Sequence, residues 1–199
     1  MPEGYLTQTM KVAGVSMSSS ITREETGQIS HEVTLPAGKS GTLSTRTDDN
    51  TGILTLAEGH GITDSDTIDV FWSGGLRYGV DVTSVDGTAV SIDLGDGDNL
   101  PTQGTAVVAT VQVEIDTDFD GDLLVMFGAP CNKRAHLHFT EEDDTSVKAV
   151  ELTADEGFMW ASSQDYSNPL TGEPVGKIQA TCGEAAAGTL KIGALYDSA

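Results

Sequence analysis

Apolar and polar residues alternate along most of this chain, as they do in strands that bury one face. In the clearest run, residues 107–115, every second residue is apolar: Val107, Ala109, Val111, Val113 and Ile115. A period of two places such residues on the same side of a strand. Helical periodicity is almost absent, and the best helical candidate, residues 184–187, is too short for a stable helix. The pattern therefore predicts an all-β protein with almost no helix.

Turn signals separate the strands predicted between residues 51 and 115. Gly74-Gly75 and Asp86-Gly87 stand between alternating segments, which is typical of β-hairpins. His60 lies between two glycines, so we interpret it as a turn residue and not as a catalytic base for Ser65, which lacks a nucleophile motif. Short strands at this spacing predict a sandwich or a barrel, and a rigid block of this kind favours an architectural role.

Two changes in composition suggest how the chain is divided. A Pro- and Gly-containing segment at 36–41 and a long loop at 96–104 flank the glycine-punctuated strands. We therefore predict a small β-barrel at 40–114 that is inserted into a β-sandwich formed by 1–39 and 115–199. A single continuous sandwich with a decorated edge is the alternative.

The first 20 residues contain a serine-rich segment with Ser16, Ser18, Ser19 and Ser20. We expect residues 1–20 to form an arm that becomes ordered on a neighbouring subunit. No basic region precedes an apolar one here, so we expect no secretory signal and predict folding in a cytoplasm. No apolar run reaches 18 residues, so no membrane helix is expected.

The chain is strongly acidic, with 31 Asp and Glu residues against 10 Lys and Arg residues and a formal net charge of −21. Tight binding to nucleic acid requires basic groups that displace counterions, so the charge argues against it, although an acidic channel for DNA stays possible. Cys131 and Cys182 are too few for a disulfide framework, and we expect both to be reduced and structural.

Residues 116–122 form the stretch that most resembles a metal site. Asp116, Asp118 and Asp120 alternate and a glycine follows, as at the start of a calcium-binding loop. The match ends at the twelfth position, where Phe127 stands in place of the bidentate glutamate. Calcium at these three aspartates is one hypothesis and a solvated turn is the other; no other cofactor is expected.

His136 and His138 flank one residue of a predicted strand, so they share a face. Such a pair is half of a zinc or iron site, and Cys131 and Glu151 are the suggestive further ligands. The simpler interpretation is an exposed polar strand face. A metal hydrolase built on this pair is the last of the functions that we consider.

Two tryptophans are candidate binding residues. Trp72 follows Phe71, so only one of these two side chains can enter a given core, whereas Phe158 and Trp160 share a face. An exposed tryptophan serves as an interface anchor or as a platform for a sugar. Trp72 or Trp160 together with calcium at the three aspartates would make a carbohydrate-binding sandwich, and burial in a core is the simpler alternative.

Three segments carry a resemblance to a known group of proteins. They are Leu35-Pro-Ala-Gly-Lys-Ser-Gly-Thr-Leu-Ser-Thr-Arg-Thr-Asp-Asp-Asn-Thr-Gly52, Gly59-His-Gly-Ile62 and Asp69-Val-Phe-Trp-Ser-Gly-Gly75. With them the chain resembles β-rich virion proteins of tailed bacteriophages. The resemblance implies binding to other virion subunits, as a capsid decoration (cement) protein or as a head or tail component, and implies no catalytic residue.

These observations lead to one expectation and its alternatives. We expect a non-enzymatic virion protein, assembled in the host cytoplasm, that binds the lattice of the major capsid protein and stabilises the head. A symmetric homo-oligomer, by default a trimer, is expected. The alternatives are a tail-tube or neck component of the virion and the carbohydrate-binding module.

Overall fold

The computed structural model describes residues 3–12, 15–24, 27–95, 100–115, 121–129, 131–141, 147–154, 158–161 and 175–198. Side chains are described within 32–95, 100–115, 131–140, 149–154 and 177–191. This part of the chain is all-β and contains no helix, as the alternation predicts. Residues 184–186, the helical candidate, form bends.

Six strands form a closed antiparallel barrel. They are β4 (Lys39–Arg46), β5 (Thr51–Leu56), β6 (Thr67–Trp72), β7 (Gly75–Asp86), β8 (Ala89–Asp93) and β9 (Ala106–Val111). Their order around the barrel is β4-β5-β8-β7-β6-β9, and pairing of β9 with β4 closes it. Apolar residues on alternate positions fill the interior, among them Leu43, Leu54, Ile68, Val80 and Val90, which are all fully buried. Closure leaves the barrel without an unpaired edge.

The other long strands form two four-stranded antiparallel sheets. The first, in the order β10-β15-β12-β13, contains β10 (Val113–Ile115), β15 (Val175–Cys182), β12 (Ala135–Glu141) and β13 (Val147–Leu152). The second, in the order β14-β11-β16-β3, contains β14 (Phe158–Ala161), β11 (Gly121–Ala129), β16 (Gly188–Ser198) and β3 (Gly27–Leu35). A common core joins the two sheets, since Leu35 and Leu190 of the second lie with Leu137, Phe139 and Ile178 of the first.

The barrel and the sandwich therefore have separate apolar cores. The barrel strands run from Lys39 to Val111, between strand β3 and strand β10 of the sandwich. The division of the chain into folding domains at 40 and 114 stays a prediction.

The first two strands form a sheet of their own. Strand β1 (Glu3–Val12) pairs with β2 (Val15–Glu24) along the full length of both. Among the strands that the structure describes, neither is hydrogen-bonded to a third. This β1–β2 hairpin thus has two unpaired edges.

Candidate functional site

Strand β12 presents its two faces to different partners. Leu137 and Phe139 enter the sandwich core, and His136 and His138 point to the opposite side. The period of two in the sequence gives this division directly. The opposite side is not exposed, however, because His136 is 1% and His138 0% accessible. The expectation of an exposed polar strand face is therefore wrong.

The barrel covers this side of the sheet. In strand β6, Ile68 and Val70 point into the barrel, whereas Asp69 between them is completely buried outside it. The carboxylate of Asp69 reaches His138 on β12 and Thr181 on β15. We call the group Asp69, His138, Thr181, Gln112 and Gly79 the junction cluster, since it joins the barrel to the first sheet.

The Asp69 carboxylate accepts four hydrogen bonds, two on each oxygen. Its Oδ1 is 3.1 Å from the backbone nitrogen of Gly79 and 2.8 Å from Nε2 of Gln112. Its Oδ2 is 2.5 Å from the hydroxyl of Thr181 and 2.8 Å from Nε2 of His138. Strands β6, β7, β12 and β15 contribute residues to the junction cluster, and Gln112 lies between β9 and β10.

This hydrogen bonding fixes the charge state of Asp69. Burial raises the pKa of the carboxyl, but the hydrogen bond and charge of His138 and the hydrogen bonds of Thr181 and Gln112 outweigh it, so the pKa of Asp69 is lowered. An ionised carboxylate only accepts hydrogen bonds, and four donors match it. It follows that Nε2 of His138 carries a proton. Its other ring nitrogen, Nδ1, is buried and has no hydrogen-bond partner among the described residues.

His136 makes the second polar contact across the junction. Its Nδ1 is 2.8 Å from the hydroxyl of Tyr78 on barrel strand β7. The ring also packs on Phe71 of β6, with centroids 4.8 Å apart. Burial lowers the pKa of His136, and burial followed by the charge of Asp69 raises the pKa of Tyr78 to about 12. Both groups are therefore neutral at neutral pH.

Two backbone contacts extend the junction beyond these side chains. The hydroxyl of Thr110 on β9 donates to the carbonyl of Cys182 at 2.9 Å, and the amide of Gly38 donates to the carbonyl of Glu184 at 2.8 Å. A Cβ at Gly38 would lie 2.9 Å from Oγ1 of Thr110 and also meet the side chain of Val108. Only glycine permits so close an approach of the connection between β3 and β4 to the barrel.

This arrangement of side chains holds the barrel and the first sheet together. An aspartate bonded to a histidine beside a hydroxyl has the composition of a hydrolytic triad. In this molecule, however, Asp69, His138 and Thr181 each have 0% accessible surface. His138 and Thr181 both use their bonds to Asp69 to join the sheet to the barrel, so the described geometry positions the barrel and presents none of these three side chains to a substrate.

Of the two further ligands suggested for the histidine pair, only Glu151 lies beside it. Cys131 lies in the sandwich core on the other side of the sheet. Glu151 lies opposite His136 in the β12–β13 register and forms an ion pair with Arg134, at 3.5 Å. Among the residues that the structure describes, no group of three or more His, Cys, Asp or Glu side chains is arranged to hold a metal ion.

Other candidate residues have ordinary structural surroundings. Trp72 is half-buried against the barrel core, and Phe71 points to the opposite side, as adjacency in a strand requires. His60 is a turn residue, as expected: its Nδ1 accepts from the amide of Ile62 at 3.1 Å, and its Nε2 lies 2.9 Å from the carbonyl of Gly87. The hydroxyl of Ser65 contacts the hydroxyl of Thr63. Both ring nitrogens of His60 have backbone partners, so these two residues do not form a nucleophile–base pair.

Several candidates cannot be placed. Asp116, Asp118 and Asp120 lie outside the described residues. Trp160 belongs to β14, but its side chain is outside the described part. Calcium binding and a tryptophan sugar platform thus stay predictions. The two cysteines are buried free thiols, and burial raises the pKa of Cys182.

Comparison of this chain with protein-family models, with curated proteins and with solved structures finds no match. The resemblance to virion proteins therefore stays a prediction from the three quoted segments. Within the described residues, no helix has both the length and the apolar character needed to cross a membrane.

Proposed function

We propose that this chain is a non-enzymatic structural protein of a tailed-phage particle, which binds the major capsid protein lattice as a decoration protein. The observation that carries the proposal is the junction cluster. The residues best suited to chemistry, Asp69 and His138, are fully buried and fasten one β-module to another. A protein that acts by presenting surfaces at fixed positions requires such an attachment.

The directional character of the junction supports the same role. An apolar contact between a barrel and a sheet resists separation but resists rotation weakly, because hydrophobic burial has no preferred direction. The two hydrogen bonds that the Asp69 carboxylate accepts from the sheet, together with the Tyr78–His136 bond, define one orientation of the barrel. A lattice-binding subunit with both modules at the interface would depend on that orientation.

The charge of the chain also supports the proposal. A net charge of −21 keeps free subunits apart before assembly, since like charges repel. The same negative charge disfavours binding to packaged nucleic acid, which requires basic groups.

The test is co-expression with the major capsid protein encoded nearest to this chain's gene, followed by sedimentation of assembled heads. We expect the protein to sediment with heads at a fixed stoichiometry and to raise their resistance to heat. Sedimentation of heads without the protein would refute the decoration role. Co-purification with tails instead of heads would identify the tail-tube or neck alternative.

A further inference from the structure

The β1–β2 hairpin has an amphipathic sequence pattern and is hydrogen-bonded to no other strand that the structure describes. Residues directly opposite each other in an antiparallel pair lie on the same face. The register pairs Leu6 with Ile21, Met10 with Met17, and Val12 with Val15. One face of the hairpin therefore carries these six apolar residues together with the pairs Gln8 with Ser19 and, at its open end, Gly4 with Arg23.

The other face is polar. Its cross-strand pairs are Glu3 with Glu24, Tyr5 with Thr22, Thr7 with Ser20, Thr9 with Ser18, and Lys11 with Ser16. The hairpin is thus an amphipathic ribbon of two ten-residue strands. A two-stranded hairpin is marginally stable on its own, and three or more strands with a hydrophobic face are needed for independent stability. Neither strand pairs with or packs extensively on another described element of the chain.

We infer that the β1–β2 hairpin is a self-assembly element, which pairs edge to edge with the hairpins of other copies of this chain in a closed ring. Its two unpaired edges are templates for further strands. Pairing on both edges satisfies these backbone groups, and closure of the ring turns the apolar faces toward one another.

Charge favours a second copy as the occupant of these edges. The hairpin carries Glu3 and Glu24 against Lys11 and Arg23, so its formal charge is zero. The whole chain carries −21, so the excess of negative charge lies entirely outside the hairpin. Two copies repel each other through their bodies, whereas neutral hairpins approach each other without that penalty.

The area of contact favours a ring over a face-to-face pair. A strand of ten residues is about 33 Å long, and two strands are about 10 Å wide. Two hairpins stacked face to face would bury roughly 650 Å² in total, which is below the ~1,200 Å² of a stable interface. Edge-to-edge pairing adds a row of backbone hydrogen bonds at every contact. Three copies supply six strands, the number that closes the barrel within this chain, so a trimer is the assembly that we assign.

Two double variants test the inference. Met10→Asn with Met17→Asn changes a cross-strand pair on the apolar face, and Thr9→Asn with Ser18→Asn changes the adjacent pair on the polar face. Both introduce the same residue at equivalent depth in the hairpin. Light scattering after gel filtration should give about three times the 20.8 kDa chain mass for the wild type and for the polar-face variant. The apolar-face variant should have the monomer mass, with its urea unfolding curve unchanged.

Hydrogen exchange supplies the second measurement. Amides of residues 3–24 should exchange slowly in the trimer and rapidly in the apolar-face variant. A monomeric wild type, or equal masses for the two variants, would overturn the inference. The outcome is separable from the virion role: a trimer that does not bind heads refutes that role alone, and a head-binding monomer refutes only the self-assembly.

Discussion

Replacement of Asp69 with alanine tests the junction cluster most directly. The substitution removes an acceptor that serves four donors and leaves them within a buried interface. The side chains of Thr181 and Gln112 can turn toward other acceptors. The amide of Gly79 cannot, and a histidine always keeps at least one ring N–H, so His138 also loses its partner.

Each buried donor left without a partner costs about 1–3 kcal/mol. Two such donors give roughly 2–6 kcal/mol, which overlaps the ~3–5 kcal/mol lost when one member of a buried ion pair is removed. We therefore expect Asp69→Ala to lower the free energy of unfolding by about 4 kcal/mol, a large share of the ~5–15 kcal/mol available to a folded protein. The corresponding fall in Tm is about 10 °C for a chain of this size.

Urea unfolding followed by tryptophan fluorescence measures the effect. Asp81→Ala is the matched control, because Asp81 lies on the neighbouring barrel strand and is exposed; its cost should stay within ~0.5 kcal/mol. Asp69→Asn should cost less than Asp69→Ala, since the amide retains one acceptor oxygen and can donate to the hydroxyl of Thr181. Equal and small losses for Asp69→Ala and Asp81→Ala would refute the assignment of the cluster as the attachment of the barrel.

The pH dependence gives an independent check of the same residue. The pKa of Asp69 is lowered from its ordinary value of 3.8 in the folded protein. The stabilisation that it contributes is therefore fully present above pH ~4 and is lost as the pH falls through the folded pKa. The difference in stability between the wild type and Asp69→Asn should shrink below pH ~4, and a difference that stays constant to pH 2 would contradict the ionised state.

Two further substitutions probe the edges of the junction. Tyr78→Phe removes the hydroxyl that contacts His136 and should cost about 1–2 kcal/mol in urea unfolding. Because the pKa of Tyr78 is raised to about 12, this difference should persist up to pH ~10 and decline as the pH rises further; no difference at neutral pH would argue against the bond. Gly38→Ala places a methyl group against Val108 and Thr110 and should cost about 1–3 kcal/mol by overpacking. Unchanged stability of Gly38→Ala would show that the β3–β4 connection is not closely packed against the barrel.

Much of the fold could be predicted because it depends on local patterns. Strands β5 to β9 lie within the segment 51–115 in which short strands are predicted, and the strand predicted to contain His136 and His138 is β12. Alternation also separates Leu137 and Phe139 from the two histidines. Period and turn residues act over a few positions, so a single sequence contains them.

The junction cluster could not be predicted because alternation shows which residues share a face and not what covers that face. Asp69 and His138 are 69 positions apart, and Asp69 and Thr181 are 112 apart. No spacing rule connects them. The sequence contains one indication of a buried polar cluster, which is a polar residue between two apolar residues of a strand. Asp69 lies between Ile68 and Val70, and His138 lies between Leu137 and Phe139.

The choice of polar residues at this junction has a structural consequence. An apolar contact of the same size would hold the barrel about as firmly, since a buried ion pair adds little net stability over well-packed hydrophobic residues. Hydrogen bonds differ from apolar contacts in requiring particular distances and angles. The Asp69 carboxylate accepts from His138 and Thr181 of the sheet, and His136 of the sheet contacts Tyr78 of the barrel, so rotation of the barrel on the sheet breaks these bonds together. The cluster therefore sets the orientation of the barrel on the sheet, which an apolar contact alone would leave less well defined.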